Sequence, residues 1–539
     1  MRNNEIINKI LENRGITSEE EIEEFLSDKP KKTYDPFLLT GMKEGVDLLL
    51  SEIESGTRIC IYGDYDADGV TASCIMAACL KRLEADYFIY IPSRMAEGYG
   101  LNTKAIDKIA ENGAGLILTV DCGCVSYHEV EYAKSKGLRV IVTDHHNIED
   151  VMADCIVINP KHPENRYPFR DLAGCGVAYK FVQAVQRQAH LGRDLLSETL
   201  DMAAIGTIGD IVPLIDENRT ITKYGIHGCN RAGRKGLKHL ADAISLHEID
   251  SENIAFGIVP HINAAGRMGT AMDAVDLFLA DESTRISAKT QSLLDYNRLR
   301  KDTQESAYKE ALEYVRGDEN FILLQMNDIH EGIAGIVAGK IKDKFYRPVI
   351  IVTPTEEGRL KGTGRSIPGI DLYEVLNNCS SLFKRFGGHK GACGFLMDGE
   401  NIEALRESIT AQADRIMTEN PEIFERKTEY EMVIKPSDIT VELAKELRKL
   451  APFGESNPSP RFMLTDVVMR NVNYMGKDGD HARFYIYDNN YYVNCVFFRK
   501  AKEYSDKLTA GLPQDLIGSV SYQVWNGQER VQFIVEEIK

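Results

Sequence analysis

Arg58–Lys81, RICIYGDYDADGVTASCIMAACLK, constrains the fold more than any other stretch of this chain. Ile59, Cys60, Ile61 and Tyr62 form a short apolar run, Gly63–Gly69 a turn with carboxylates at Asp64, Asp66 and Asp68, and Val70–Lys81 an apolar helix. Strand, loop and helix in that order belong to an open parallel sheet, which gathers ligands outside the carboxyl ends of its strands. Carboxylates crowded there repel one another unless cations hold them. An EF-hand opens with the same D-x-D-x-D-G spacing, but it needs a bidentate Glu at its twelfth loop position, where this chain has Ile75. A solvated acidic turn seldom lies between a strand and a helix that both look buried.

The alternation continues. Tyr87–Ile91, Leu116–Val120, Arg139–Thr143 and Ile156–Ile158 read as strands, separated by helical stretches such as Thr103–Asn112 and His128–Lys136. Polar residues fall just after the strands: Ser93, Arg94, Glu97 and Tyr99, then Asp121, then Asp144, His145 and His146. Asp210 closes the small-residue helix AAIGTIGD. Carboxylates with imidazole suit a divalent transition metal, and the excess of carboxylate shifts the balance from Zn²⁺ toward Mn²⁺. So many acids argue for two ions, the usual arrangement for hydrolysing phosphoesters. A lone histidine after a strand is more often a core or surface residue, but here the pair follows an acid and the other strands end in acids too.

The motifs GDYDADG, VDCG, TDHH and IGDIVPL resemble those of the DHH phosphoesterase superfamily, and the whole chain is similar to the RecJ single-stranded-DNA exonucleases within it. The resemblance implies a hydrolase that removes nucleotides from the 5′ end of single-stranded DNA in recombination and repair. Asp64, Asp66, Asp68, Asp121, His145 and Asp210 would share two Mn²⁺ or Mg²⁺ ions, with Asp121 as bridge and a metal-activated water attacking phosphorus. Asp144 and His146 would support the site or face phosphate. His389, on a glycine loop, and Arg365 would stabilise developing charge from a second domain. Arg94, Thr363 and Arg365 would hold the terminal phosphate, and Arg267, Gly387 and Gly388 would also contact substrate. Where the family usually has Arg before INAAGR, this chain has His261, and where it commonly has Ser two before Arg365, this chain has Thr363.

At 539 residues the chain exceeds a single core, since domains run to roughly 100–200 residues each. The expected class is α/β: a parallel-sheet DHH domain at 1–275 with a helical lead-in packed on the sheet, a long polar connecting helix at 276–317, a second α/β DHH-associated domain at 318–426, and an OB-like β-barrel at 427–539. The segments GRLKGTGRSIPG and FKRFGGHKGACGF make the second domain the most basic region, with Gly364, Gly387 and Gly388 permitting close approach to phosphate. The alternative for them is a solvated Lys/Arg face with glycine turns. Ile254–Gly269, IAFGIVPHINAAGRMG, carries Arg267 and could equally be a tight glycine-rich turn. In the barrel, Tyr485, Tyr491, Tyr492, Phe497 and Phe498 are available to stack bases, and a two-residue period puts about half of them inward.

A net charge of −18 argues against a protein coated in positive field for duplex DNA while allowing a local basic groove. The 11 cysteines are scattered without a C-x-x-C pair and read as reduced core thiols. With no secretory signal or bilayer-length apolar run, the expectation is a cytoplasmic protein with no membrane partner; the resemblance implies single-stranded DNA as substrate, with a single-strand-binding protein or helicase as partner. A second reading, a phosphodiesterase for short oligoribonucleotides or cyclic dinucleotides, would use the same two domains. A catalytically dead scaffold is disfavoured by the intact ligand positions.

Overall fold

The computed structural model describes residues 2–94, 96–98, 100–148, 151–231, 233–355, 358–488, 491–509, 511–525 and 527–539, so Tyr99 lies outside the described residues. Three sheets organise the chain. The first is a five-stranded parallel sheet of β1 (Ile59–Gly63), β2 (Tyr87–Tyr90), β3 (Leu116–Val120), β4 (Arg139–Thr143) and β5 (Ile156–Ile158), in the order β2-β1-β3-β4-β5. Strands β1 and β3 are buried throughout, as apolar strands covered on both faces must be. Helix Ala67–Arg82 is buried along nearly its whole length, because Gly174–Gln188 and Asp194–Gly209 pack against it.

The helix Ser283–Tyr314 leads to a mixed sheet of β6 (Ile322–Gln325), β7 (Val349–Pro354), β8 (Arg359–Arg365), β9 (Phe383–His389) and β10 (Ala392–Asp398), in the order β6-β7-β8-β10-β9. The basic glycine segments are therefore strands, and His389 ends β9 instead of riding on a glycine loop. Strand β8 alternates strictly. Arg359, Lys361, Thr363 and Arg365 face out, while Leu360, Gly362 and Gly364 face in. The two inner glycines make room for the core: a methyl at 362 would overlap the Phe395 ring, and one at 364 would meet Leu372. Gly364 thus serves packing and not phosphate approach.

The third sheet comprises β11 (Met432–Val433), β12 (Phe462–Val467), β13 (Arg470–Met475), β14 (His481–Asp488), β15 (Tyr491–Phe497), β16 (Gln514–Trp525) and β17 (Gln528–Ile538). Its order is β11-β12-β16-β17-β15-β14-β13, and the pairings of β11 with β12 and of β15 with β17 are parallel. Of the aromatics expected there, Phe497 is buried, Tyr485 half-buried, and Tyr491, Tyr492 and Phe498 are exposed. Phe497 and its neighbour Phe498 obey the two-residue period, but Tyr491 begins its strand and spends its hydroxyl on the Ile439 carbonyl at 2.7 Å.

The lead-in divides. Met42–Glu54 packs on the first sheet through Met42, Val46 and Leu49, as expected. Ile6, Ile7, Ile10 and Leu11 instead join the core of the C-terminal sheet, with Leu443, Leu447 and Phe462. The helix Arg2–Asn13 has a single apolar stripe, and such a stripe does not specify which core receives it. All 11 cysteines are free, and all but Cys155 are buried. Among the described residues no helix is long and apolar enough to cross a membrane.

Candidate metal centre and phosphate site

The strand ends of the first sheet meet at one edge. Asp66 caps helix Ala67–Arg82, its Oδ1 accepting from the amides of Asp68 and Gly69 at 3.0 and 3.1 Å. Asp68 points the other way, and its two oxygens accept from the amides of Gly174 and Cys175 at 2.6 and 2.8 Å, at the start of helix Gly174–Gln188. Gly174 has to be glycine, since a Cβ there would lie 2.5 Å from Asp121 Oδ1. Asp121 follows β3 with φ at 62°, a left-handed conformation that aspartate tolerates.

These groups form three overlapping clusters whose ligand atoms lie within 4.8 Å of one another: Asp64, Asp66 and Asp121; Asp68, His145 and Asp210; and Asp121, His145 and His146. His145 Nε2 lies 3.2 Å from an Asp121 oxygen, 3.5 Å from Asp210 and 3.8 Å from Asp68. Yet His145 Nε2, Asp64 Oδ1 and Asp121 Oδ1 are buried without a hydrogen-bond partner. Orphaned buried polar atoms are costly and rare, and orphans converging on one point mark where an ion belongs. Burial raises the pKa of Asp64, Asp68 and Asp121, and the charges of neighbouring carboxylates add to it. Asp210 is pushed up to about 9 by burial and by Asp68 and Asp66. Burial lowers His145 to about 4, which leaves its imidazole neutral and able to donate a lone pair. The donor set is oxygen-rich with imidazole, so it fits Mn²⁺ or Mg²⁺.

His146 behaves differently from His145. Its Nδ1 lies 2.8 Å from Asp144 Oδ1; burial works against its charge, but this bond and the charges of Asp144, Asp210 and Asp68 together outweigh burial and raise it to about 9. Asp144 also accepts from the amides of Cys124, His145 and His146, so it organises the loop and is not a ligand.

Cations gather beside this centre, Arg94 and Arg267 from its own domain and Arg365 from the next. The guanidinium of Arg94 lies over the Tyr65 ring, 5.0 Å from its centroid. Arg267 donates to the Gly332 carbonyl at 2.6 Å, joining its helix to helix Glu331–Phe345. Arg365 and Thr363 border Gly335 of that same helix. Burial, then repulsion from Arg94, lowers the pKa of Arg365; Arg267 falls to about 10 through burial and Arg94, with Asp66 opposing. Guanidiniums that repel one another beside a carboxylate cluster leave room for an anion. Cross-strand pairing of His389 with Ala392, and of Ala392 with Arg365, puts His389 and Arg365 on one face across a small residue. Gly387 lies on that face with open space above it, whereas Gly388, at φ 140°, would drive a Cβ into the Ala392 carbonyl. Packing against β10 accounts for Gly388.

The Ile254–Gly269 segment is not a turn. A π-helical turn, Ile254–Ile258, runs into helix Val259–Met268. On this helix Asn263 Oδ1 accepts from the Ala67 amide at 2.8 Å, and Gly266 lets the helix rest on the Tyr65 carbonyl. Asn263, Gly174 and Cys175 are working residues that motif reading missed. Only the small-residue runs AGCG and NAAG marked them as places of close approach. His261 is buried and hydrogen-bonded at both ring nitrogens, so it takes no charged role toward substrate.

An acid- and histidine-lined edge of a parallel sheet, with arginines beside it from its own domain and from a second one, defines a metal-dependent phosphoesterase of the DHH class. Residues 58–207 match the DHH family, N-terminal domain; residues 318–414 match the DHHA1 domain; and residues 430–537 match the RecJ OB domain. The single-stranded-DNA-specific exonuclease RecJ of Bacillus subtilis is 37% identical over 99% of this chain and 67% of its own length. The Escherichia coli protein of that name is 31% identical, with 85% of this chain and 82% of that protein covered. RecJ of Thermus thermophilus solved with Mn²⁺ superposes with a TM-score of 0.83 at 29% identity, covering 98% of this chain and 75% of the other. Its Mg²⁺ complex gives 0.77 at 29% identity, covering 98% and 74%. The chain belongs to the RecJ family.

Proposed function

We propose that this chain is a metal-dependent exonuclease that degrades single-stranded DNA from its 5′ end. One observation carries the reading: orphaned buried ligand atoms of Asp64, Asp121 and His145 lie in the same domain as Arg94 and Arg267, and these two cations and Arg365 of the second domain stand close enough to feel one another's charge. Asp64, Asp66, Asp68, Asp121, His145 and Asp210 would hold two Mn²⁺ or Mg²⁺ ions, Asp121 belonging to two of the clusters. When bound, the ions supply the Lewis acidity that acidifies an attacking water and neutralises the phosphoryl oxygens.

The chain's own residues orient and select. Asp68 is fixed by the helix amides, and Asp144 holds His146 protonated toward phosphate. Arg94, Thr363 and Arg365 take the terminal 5′ phosphate, Arg267, Gly387 and Gly388 contact the strand, and His389 approaches the leaving side from the same sheet face as Arg365. The domains are 1–275, the connecting helix 276–317, 318–426 and 427–539, with residues 2–26 accompanying the last. The exposed Tyr487 and Tyr492 and the half-buried Tyr485, with ring centroids of Tyr492 to Tyr485 and to Tyr487 at 5.7 and 6.2 Å, give the C-terminal sheet a stacking surface. On this reading the enzyme works in the cytoplasm in DNA recombination and repair, beside a helicase or a single-strand-binding protein.

The test is a DNA strand labelled at one end, single or in a blunt duplex, incubated with Mn²⁺. Labelled mononucleotide should appear at once from a 5′ label on the single strand, and late from a 3′ label. Release from the 3′ end first overturns the polarity, and cleavage confined to dinucleotides overturns the substrate.

A further inference from the structure

A groove of about 1990 Å³ runs between the catalytic domain and the C-terminal sheet, and Asn263, Arg267, Phe256, Arg300, Tyr522 and Phe498 are among its walls. Asn263 holds the first turn behind Asp66, and Gly209 and Ile211, on either side of Asp210, also line the groove, which therefore reaches the edge of the metal centre. Phe256 is 80% exposed on the π-helical turn, which is unusual for a large apolar side chain. Arg300 comes from the long connecting helix, which from its sequence looked like a plain spacer.

Arg300 is aimed by a chain of buried groups whose polarity has one solution. Arginine only donates, so Asn297 must present Oδ1 to it, and it accepts from Nε and Nη2 at 3.0 and 2.9 Å. The Asn297 amide nitrogen then donates to His261 Nε2 at 2.8 Å. The imidazole proton must therefore sit on Nδ1, which meets the Gly257 carbonyl at 2.6 Å. Gln304 takes one Nη1 proton at 3.0 Å. His261, Asn297 and Gln304 are all buried.

Three of the five guanidinium protons are thereby used, all on neutral acceptors, and two are left. Among the described residues no carboxylate pairs with Arg300. Arg267 stands near enough to feel its charge and likewise bonds only a carbonyl. Two adjacent cations, of which Arg300 has no carboxylate beside it among the described residues and is preoriented at the cost of burying three polar side chains, imply an anion supplied from outside.

We propose that Arg300, positioned by His261 and Asn297, binds a phosphodiester of the single strand beyond the scissile bond. The inference rests on the single-stranded-DNA reading, and wild-type degradation of a long oligothymidylate tests that reading separately. The measured quantity is the ratio of KM for the long oligothymidylate to KM for a 5′-phosphorylated thymidine dinucleotide, which has no phosphate beyond the scissile one. Arg300→Gln should raise the ratio about tenfold, as loss of a charged hydrogen bond does. Arg300→Lys keeps the charge without the two-pronged geometry and should give an intermediate ratio; it also serves if the glutamine variant does not fold. His261→Phe should shift the ratio the same way, and the double variant should be no worse than Arg300→Gln alone. An unchanged ratio in both Arg300 variants overturns the contact, and additive effects in the double variant overturn the positioning role.

Discussion

The backbone amide of Leu214 donates to the carbonyl of Glu455 at 2.8 Å, joining the loop that leaves Asp210 to the segment that enters the C-terminal sheet. Arg219, in the helix after that loop, reinforces the link. Its guanidinium donates to the carbonyls of Leu450 and Ala451 at 3.0 and 2.8 Å and to Phe25 of the N-terminal segment at 2.8 Å. The C-terminal domain is therefore bound to the element that carries a metal-ligand candidate, and is not a freely hinged attachment.

Asp121 is the acid shared by two clusters. Asp121→Asn keeps its shape, and asparagine accepts the left-handed φ of 62°, so the fold should survive. Turnover should fall at least a hundredfold with loss of bound Mn²⁺. The cation-free variant should melt above the cation-free wild type, because one buried, mutually repelling charge is gone. Near wild-type cleavage by the folded variant, checked by circular dichroism and elemental analysis, would falsify the two-ion assignment.

Proton and metal should compete at this centre. Asp64, Asp68 and Asp121 have pKa values raised by burial, and Asp210 is pushed up to about 9. A carboxyl with a raised native pKa keeps its proton where the unfolded chain has released it. The cation-free protein should therefore lose stability as pH rises toward about 9, most steeply above about 6.5, because His145, lowered to about 4, opposes the loss below that. His146, raised from 6.5 to about 9, adds to the decline between those two values. Saturating Mn²⁺ should flatten the dependence, since metal affinity rises as ligands lose protons. Melting curves across this range, with chelator and with Mn²⁺, check it; parallel slopes would show that no such competition exists.

Strand-end chemistry was legible because it is local. Asp64, Asp121 and Asp144 each follow an apolar run of strand length, and the spans of β3, β4 and β5 coincide with those runs. The second sheet was less legible, since β8 and β9 contain Gly362, Gly364, Gly387 and Gly388, which weaken a strand signal; two of these serve Phe395 and Leu372, distant in sequence. Partners that depend on tertiary approach were not readable at all. Nothing near Asp68 announces the amides of Gly174 and Cys175, and nothing near Ile6–Leu11 announces the C-terminal core.

His389 ends β9 on an exposed face of the second domain and, among the described residues, belongs to none of the ligand clusters. His389→Ala should lower kcat by about a hundredfold with metal content unchanged, the pattern of a group that acts on the transition state. Loss of both ions, seen by elemental analysis, would make it a ligand instead.

The last prediction separates a long-strand exonuclease from a short-substrate phosphodiesterase, and the packing of the chain's two ends decides how to make it. A truncation ending near Glu425 would strip the cover from Ile6, Ile7, Ile10 and Leu11 and would remove the carbonyl acceptors of Arg219 and Leu214. Four apolar side chains exposed at roughly 1.5–3 kcal/mol each are enough to cause aggregation for reasons unrelated to substrate. A fragment from Thr33 to Glu425 removes the N-terminal helices together with the sheet they cover. It keeps the contacts of Thr33 and Tyr34 with Lys180 and Glu217 that anchor the catalytic domain's own entry. This fragment should still hydrolyse a 5′-phosphorylated dinucleotide, because the metal centre, Arg94 and Arg365 all remain. It should lose most of its affinity for long single strands along with the tyrosine cluster, and the salt dependence of that affinity should become shallower as phosphate contacts disappear. Unchanged long-strand affinity would favour the short-substrate phosphodiesterase. Equal loss of both activities in the folded fragment would show that the bond from Leu214 to Glu455 is needed to hold Asp210 in place.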